Sequence, residues 1–448
     1  MNFLCHAGPW SDTYLSRIVR HIDPKNGCTI LSAHKGVDGS GLIDLYYENI
    51  EKHKGKDLRG NAEDNDIIIR CRLLRNLASR DALLHLNSMR DAIRCVLDRT
   101  NPDVILSETI DSYIMDILYF ESLQRKIPFV GLVTVFINGY FRISARGEYN
   151  FVRTPGEQEV FDTLQLLEKK DYLPVFVQKD KVNPTKAIVR KWLRNILKIP
   201  YFSIKRVLSR DFYNCHYWQS VIVSKQWFHF FPAFEVGNVH WESELKNIDK
   251  TVIYVPLQMV PEATIDYWCD TTDVINYNET LLSFIRSHTD LHFLVKEHPN
   301  VIGYRNPKLY RQLNALNNVT ICPTQINSNY LFESYTAVLV WTGTVGFESA
   351  LRGKPVLCFS HPYYFPNETY FKRIKANTTT QEINNYLIKK TALLTREEKT
   401  ELVTHLLSGV DRGSLIVDGS WNASSQGDIA KMQELAESLK RYIKNRIV

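Results

Sequence analysis

Short apolar segments alternate with amphipathic helical patterns in both halves of this chain. The apolar segments of the first half are 2–6, 29–33, 66–71, 103–107 and 128–135. Those of the second half are 252–255, 291–296, 319–321, 337–341 and 355–359. A strand–helix–strand rhythm of this kind predicts parallel sheets with helices on both faces. We therefore expect an α/β chain built from two doubly wound, Rossmann-like domains.

A chain of 448 residues is too long for one hydrophobic core and fits two domains of ordinary size. The patterns predict a first domain, a linker, a second domain and a final helix that crosses back to brace the first domain. Their boundaries are 1–212, 213–250, 251–425 and 426–448.

Several classes of protein are not supported by the sequence. No segment approaches the ~20 apolar residues of a membrane-spanning helix, and residues 1–5 lead into a strand instead of a signal peptide, so we expect a cytoplasmic protein. The eight cysteines show no C-x-x-C spacing. No loop suited to a metal carries an Asp-x-Asp motif or a histidine pair, so we predict neither a metal nor a cofactor.

The segment 184–210 carries eight basic residues and no acidic one, interleaved with aliphatic and aromatic residues. This pattern is typical of a helix on an anionic membrane surface. It fits equally well a helix that packs on the protein and leaves a basic face in solvent. We do not expect nucleic-acid binding, because a surface that follows phosphates is more polar and more positive.

A predicted strand runs into a predicted helix at Trp341-Thr-Gly-Thr-Val-Gly-Phe-Glu348. Free backbone N–H groups, the hydroxyls of Thr342 and Thr344 and the close approach allowed by Gly343 favour a phosphate site. Glu348 lies one turn into the helix and can accept hydrogen bonds from ribose hydroxyls. The alternative is a tight turn with a capping threonine.

Two more polar clusters follow predicted strands of the second half. Lys296-Glu-His-Pro299 ends one strand, where ligands of parallel α/β domains bind, and His298 can donate to a phosphate oxygen. Gln258 and Glu262 lie in a proline-stiffened loop after another strand. Each cluster has a purely structural interpretation, but three of them at strand ends favour a binding site.

These three motifs together resemble the capsule polysaccharide biosynthesis family, which includes β-Kdo transferases. The resemblance is strong over about residues 250–365 and is carried by Pro-Leu-Gln-x-x-Pro-Glu, Lys-Glu-His-Pro and Thr-Gly-Thr-x-Gly-x-Glu-x-x-x-x-Gly-Lys-Pro-Val. It implies a GT-B glycosyltransferase, with two Rossmann-like domains facing a cleft. The implied donor is a CMP-activated 3-deoxy-2-keto acid sugar, Kdo or a nonulosonic acid, transferred without a metal to a bacterial surface glycan.

The resemblance also implies roles for single residues. Lys296, His298, Pro299, Thr342, Gly343, Thr344 and Glu348 would form the nucleotide site, and Gln258 and Glu262 would contact nucleotide or sugar. Retaining members carry an acidic-Gly-aromatic motif followed by Arg, but this chain has Asn138-Gly-Tyr-Phe-Arg142. Asparagine cannot act as the nucleophile, so an inverting reaction with a carboxylate base becomes more attractive.

The candidate bases are Glu108 and Asp111, after the strand at 103–107, and Asp12 in the first loop. Asp111 is slightly favoured as the base, although helix capping is an alternative role for Asp12 and Asp111. Arg142 and Arg146 follow another strand and can grip the carboxylate of an acidic sugar or stand in solvent.

Two other functions remain open at this point. A UDP- or GDP-sugar transferase would use the same phosphate loop with extra cations, for which Lys296, Arg305 and Arg352 are candidates. A non-catalytic protein that binds sugar nucleotide or polysaccharide would explain the missing nucleophile.

Overall fold

A computed structural model of the chain describes residues 1–8, 11–169, 172, 184–209, 237–301, 305–390, 394–416, 422 and 425–447. The chain divides into two units. The first contains 1–153, 201–225 and 408–448, and the second contains 154–200 and 226–407.

The strands are numbered in chain order. They are β1 (Asn2–His6), β2 (Gly27–Leu31), β3 (Val104–Glu108), β4 (Phe129–Thr134), β5 (Tyr140–Ile143), β6 (Val252–Pro256), β7 (His292–Lys296), β8 (Val319–Cys322), β9 (Ala337–Val340), β10 (Val356–Cys358), β11 (Lys372–Arg373) and β12 (Val410–Arg412).

The α-helices are numbered in the same way. They are α1 (Asp12–Ile22), α2 (Leu42–His53), α3 (Ala62–Arg70), α4 (Ser79–Thr100), α5 (Tyr113–Gln124), α6 (Glu157–Glu168), α7 (Pro184–Ser209), α8 (Trp241–Lys246), α9 (Ala263–Asp266), α10 (Tyr277–Ser287), α11 (Pro307–Asn314), α12 (Val345–Leu351), α13 (Thr380–Lys389), α14 (Arg396–Ser408) and α15 (Gln426–Ile447). Short 3-10 helices are Leu74–Asn76, Pro299–Val301 and Ser328–Ser334.

The described strands of the first unit form one sheet in the order β2-β1-β3-β4-β5-β12. The first four are parallel, whereas β5 is antiparallel to β4 and β12 is antiparallel to β5. Alternate residues of each parallel strand face opposite sides, so Leu4 and Ile105 join one hydrophobic cluster and Phe3 and Leu106 join another. The sheet is therefore covered on both faces, as the sequence predicts.

The described strands of the second unit form a parallel sheet in the order β8-β7-β6-β9-β10-β11. All five residues of β7 are buried, as expected for a parallel strand covered on both faces. In the order of the chain this is the Rossmann arrangement 3-2-1-4-5-6, which changes direction between β6 and β9. The predicted α/β fold with two doubly wound units is confirmed.

The C-terminal helix α15 returns to the first unit. Met432, Leu435 and Leu439 join the cluster that contains Leu15 and Ile18 of α1. The predicted bracing of the first domain by this helix is confirmed.

The unit boundaries differ from those expected. Residues 154–200 group with the second unit, where Glu168 pairs with Lys399 and Lys191 Nζ donates to Asn300 O. The chain returns to the first unit at Ser408 and not at 426, because β12 pairs with β5. Within the predicted linker, residues 213–236 lie outside the described residues.

The predicted strand at 66–71 is wrong, because this segment belongs to helix α3. The Asn61 side chain accepts from the Asp64 N–H and the Asp64 carboxylate accepts from the Asn61 N–H, which forms a capping box. Ile67 is buried and Ile69 is exposed. Within the described part of the chain, no helix has both the length and the apolarity to cross a bilayer.

The packing of α15 leads to a prediction about stability. Leu435 is fully buried and Glu434 is exposed on the same helix. We expect Leu435→Ala to lower the free energy of unfolding by about 2–5 kcal/mol, and Glu434→Ala to change it by less than about 0.5 kcal/mol. Urea unfolding followed by circular dichroism measures both variants. Equal midpoints would contradict this packing.

Candidate functional site

The loops after β6 and β9 touch where the strand order of the second unit reverses. A Cβ atom at position 343 would stand 2.4 Å from Gln258 Nε2, so Gly343 lets the Gln258 amide lie against the backbone. Thr342 Oγ1 donates to Thr264 O at 3.0 Å. The Thr342 hydroxyl therefore donates within the protein and links two loops. The sequence predicted instead that this hydroxyl would donate to a nucleotide phosphate.

A buried ion pair supports these loops. Glu297 and Arg305 are 1% and 2% exposed, and Arg305 Nε and Nη2 donate to Glu297 Oε2 and Oε1 at 2.8 and 2.7 Å. Arg305 Nη2 also donates to Gln258 O at 2.7 Å, and the Tyr310 hydroxyl donates to Glu297. Burial raises the pKa of Glu297, but Arg305 and the other donors outweigh it, so this pKa lies below its usual range.

His298 is held as a neutral imidazole with a defined tautomer. Burial is the main cause that lowers the pKa of His298 to about 4, so the ring carries no charge at pH 7. The ring Nδ1 accepts from the Asn300 N–H at 3.2 Å, and the backbone N–H of His298 donates to Glu297 Oε1 at 2.6 Å. A neutral imidazole that accepts at Nδ1 carries its proton on Nε2. His298 is thus prepared to donate one hydrogen bond from Nε2.

Other predicted residues of this site lie at the same strand ends. Lys296 is buried, and its Nζ lies 3.4 Å from Glu297 O. Pro299 begins the 3-10 helix Pro299–Val301. Glu262 is half-buried and accepts from the Thr264 hydroxyl.

Thr344 and Glu348 lie at the start of α12. Thr344 precedes the first residue of this helix, and its side chain makes no capping hydrogen bond. Burial raises the pKa of Glu348 to about 7, and the Arg352 charge offsets only part of that effect. Both the protonated and the ionised form of Glu348 are thus accessible near neutral pH.

The first unit has a pocket of about 170 Å³ at the point where the strand order of its sheet reverses, between β1 and β3. Glu108 and Asp111 both line it, as expected from their position after β3, whereas Asp12 does not line it. Asp111 is held by Arg72, whose Nη2 and Nη1 donate to Oδ1 and Oδ2 at 2.5 and 3.4 Å. Asp111 is therefore held in a bidentate pair, and Glu108 lines the same pocket from the last position of β3.

Histidines His6 and His34 line the same pocket. Burial, and to a smaller extent the charge of His34, lower the pKa of His6 to about 4, so His6 is neutral at pH 7. The pocket thus combines the neutral ring of His6 and the ring of His34 with two carboxylates and one arginine.

The arginines assigned to a sugar carboxylate are used elsewhere. Arg142 is buried on β5, and its Nη1 donates to Glu148 O at 3.4 Å. Arg146 forms ion pairs with Asp66 and Asp116. Asn138 is exposed just before Gly139, whose φ of +84° shapes the turn between β4 and β5. We therefore do not place either arginine in a carboxylate site.

Sequence reasoning missed several of these residues. His6 ends β1, so the rule that ligands bind at strand ends could have singled it out. Glu297 lay inside a motif but was given no role, and no local signal links Arg305 to it. Among the described residues, no group of three or more His, Cys, Asp or Glu side chains is arranged to hold a metal ion.

Replacing Arg305 tests the supporting ion pair. Arg305→Leu leaves a buried, unpaired carboxylate, so we expect a loss of about 3–5 kcal/mol in the free energy of unfolding at pH 7. In the wild type, Arg305 keeps the pKa of Glu297 low, so the pair stabilises the fold above the pKa of the unfolded chain and less as pH falls.

Without Arg305, burial alone would raise the pKa of Glu297, and protonation would relieve the unpaired charge. The deficit should therefore shrink as pH falls from the raised pKa of Glu297 in the variant towards its lowered pKa in the wild type. Urea titrations at several pH values measure it, and Glu297→Gln/Arg305→Leu is the control, expected to recover part of the loss. A deficit that does not depend on pH would contradict the role of this pair.

Part of the sequence matches a known protein family. Residues 206–388 match the family model described as capsule polysaccharide biosynthesis protein. No curated protein sequence matches the chain significantly.

Three solved structures similar to the chain have low sequence identity. The Thermosulfurimonas dismutans KpsC β-Kdo 2,7 transferase is 15% identical, with 97% of this chain and 99% of that chain covered and a TM-score of 0.39. The β-Kdo 2,4 transferase of the same KpsC is 12% identical, with 78% and 88% covered and a TM-score of 0.33. A UDP-GlcNAc 2-epimerase from Neisseria meningitidis is 12% identical, with 91% and 98% covered and a TM-score of 0.27.

The matched segment contains all three motifs, from Pro256 to Val356. The predicted resemblance is therefore confirmed for residues 206–388, which match the capsule polysaccharide biosynthesis family.

Proposed function

We propose that this chain is a glycosyltransferase of bacterial surface polysaccharide assembly, with a CMP-activated 3-deoxy-2-keto acid sugar, Kdo or a nonulosonic acid, as donor. The observation that carries the proposal is the contact of Gln258 with Gly343 at the strand-order reversal of a Rossmann-type sheet. Open α/β sheets bind nucleotides at such a point. His298 follows the neighbouring strand β7, and Glu348 lies in the first turn of α12. These residues lie in the segment that matches the capsule family, and the CMP donor follows from the resemblance of its motifs.

In this proposal the second unit stabilises the leaving group. When the bond from the anomeric carbon to phosphate breaks, CMP leaves with the bonding electrons and the phosphate gains negative charge. The Nε2–H of His298 donates to a phosphate oxygen, and an ionised Glu348 accepts from ribose hydroxyls. This stabilisation comes from hydrogen bonds already oriented in the protein, so the proposed reaction uses no divalent metal.

The side chains around this site support one phosphate better than two. Arg305, a candidate partner for a diphosphate, is bound to Glu297 and to Gln258 O. Arg352 Nη1 donates to Asn329 Oδ1 at 2.9 Å, and its guanidinium lies over the Phe332 ring. Lys296, the third candidate, is buried and its Nζ donates to Glu297 O at 3.4 Å. All three cations are engaged within the protein, which favours a CMP-activated donor over a UDP- or GDP-activated one.

The first unit supplies the acceptor site in this proposal. Glu108 takes the proton of an acceptor hydroxyl, whose oxygen forms the new bond to the anomeric carbon as CMP leaves. Because Asn138 cannot act as a nucleophile, we propose a single displacement with inversion. Asp111 orients Arg72 and, through it, the wall of the pocket.

Nucleotide binding tests the donor assignment. A ligand that binds only the folded state raises the thermal midpoint, so we expect CMP to raise it more than UDP or GDP at equal concentration. His298→Ala should weaken CMP binding and lower kcat by about 100-fold, whereas His298→Gln, which keeps an N–H donor, should lose less.

Gly36→Ala is the control variant and should behave as the wild type does, since a Cβ at position 36 would meet nothing within 4 Å. Stabilisation by UDP or GDP but not by CMP would refute the donor. Full activity of a folded His298→Ala variant would remove His298 from the site.

Neutralising the proposed base tests catalysis in the first unit. General base catalysis contributes about 10²–10⁴-fold, so Glu108→Gln should lower kcat by at least about 100-fold with CMP binding unchanged. Asp111→Asn should have a smaller effect, because Asp111 acts on Arg72. The activity of both variants is measured as sugar transfer to a polysaccharide acceptor, detected through the release of CMP. A greater loss in Asp111→Asn than in Glu108→Gln would make Asp111 the base.

A further inference from the structure

Helix α7 presents apolar side chains to solvent on the side opposite to its buried residues. Ile188 and Asn195 are buried, whereas Leu193 and Leu197 are 49% and 68% exposed. With about 100° per residue, positions 193 and 197 lie roughly opposite to 188 and 195. We call the exposed apolar side chains in the part of this helix that belongs to the second unit the α7 stripe. They are Val189, Leu193 and Leu197.

Basic side chains border the α7 stripe. Arg190 and Arg194 are exposed, and the described helix contains no acidic residue. Burial is the larger cause that lowers the pKa of Lys191 and of Lys198, and the charge of Arg194 lowers both further. The cations of this helix are thus close enough to repel one another, and an anionic surface would relieve that repulsion.

The helix is attached to the protein on its other side. Lys191 Nζ donates to Asn300 O at 3.2 Å, and Ile188 is 3% exposed. The α7 stripe is therefore an outer face of a helix that is already packed. Contiguous exposed apolar side chains with a charged border mark interaction sites.

We propose that the α7 stripe lies on the surface of an anionic lipid bilayer. Val189 and the two leucines would enter the boundary between headgroups and acyl chains, while the arginines reach lipid phosphates through their long side chains. Helix α7 is not apolar enough to cross the bilayer, so it lies along the surface. This inference goes beyond the proposed reaction and does not depend on it, because it rests on α7 alone.

The charge and shape of the surface favour lipid over other partners. A nucleic acid would meet aliphatic side chains at the centre of the face, where it needs polar and cationic groups. An anionic bilayer can interact with the apolar centre and with the basic border of this surface at the same time. The free energy of inserting apolar side chains then adds to that of attraction to anionic headgroups.

Vesicle binding by the full-length protein tests the proposal. We expect cosedimentation with vesicles of phosphatidylcholine containing about one third phosphatidylglycerol, and little with phosphatidylcholine alone. Raising NaCl from about 0.1 to about 0.5 M should weaken binding, because salt screens charges. Leu193→Ser/Leu197→Ser and Arg190→Ser/Arg194→Ser should each lower the partition coefficient by about tenfold or more.

The matched control lies on another exposed helix face. Ile388 is 72% exposed on α13 and is followed by exposed Lys389, so Ile388→Ser/Lys389→Ser removes comparable groups and should bind as the wild type does. Equal binding of the wild type to neutral and anionic vesicles would overturn the proposal. Vesicle binding by the α7 variants at the level of the control would also overturn it. A third contrary result would be a wild-type protein that does not bind vesicles but forms a dimer, which Leu193→Ser/Leu197→Ser converts to a monomer. Catalytic turnover is not part of this test, so its result is separate from that of the proposed reaction.

Discussion

The second unit depends on the reversal of strand order between β6 and β9. Strands on the two sides of such a reversal send their following segments to opposite faces of the sheet, which leaves a crevice at their carboxyl ends. In this chain the crevice edge is formed by Gln258 after β6 and Gly343 after β9. The absence of a Cβ at 343 lets the two loops meet, so the site is a consequence of topology and of one glycine.

The Glu297–Arg305 pair connects three loops around that crevice. Arg305 bonds to the backbone of Gln258, and Glu297 accepts from the backbone of His298. A buried pair of this kind adds little to stability compared with apolar packing, but removing one partner is costly. The pair fixes positions, because one hydrogen-bond network holds both the backbone of Gln258 and the backbone of His298.

Much of the fold could be predicted, and the main error has a physical cause. Three successive isoleucines at 67–69 fit a buried strand as well as a helix over so short a stretch. The capping residues Asn61 and Asp64 were the available signal for the helix. In the site, the strand-end rule located His298 and Glu108, but it could not show that Arg146 and Arg305 already had acidic partners.

The sequence by itself determined the alternation of strands and helices, the positions of the polar clusters and the family resemblance, because period, turn residues and motifs are local properties. The tertiary structure decided which polar groups are available. Thr342 donates to a carbonyl 78 residues away, Asp111 is held by Arg72, and β12 joins a sheet that begins at the other end of the chain. Such partners are chosen by burial, where each polar group must find a hydrogen bond, and burial exists only once the distant segments have packed.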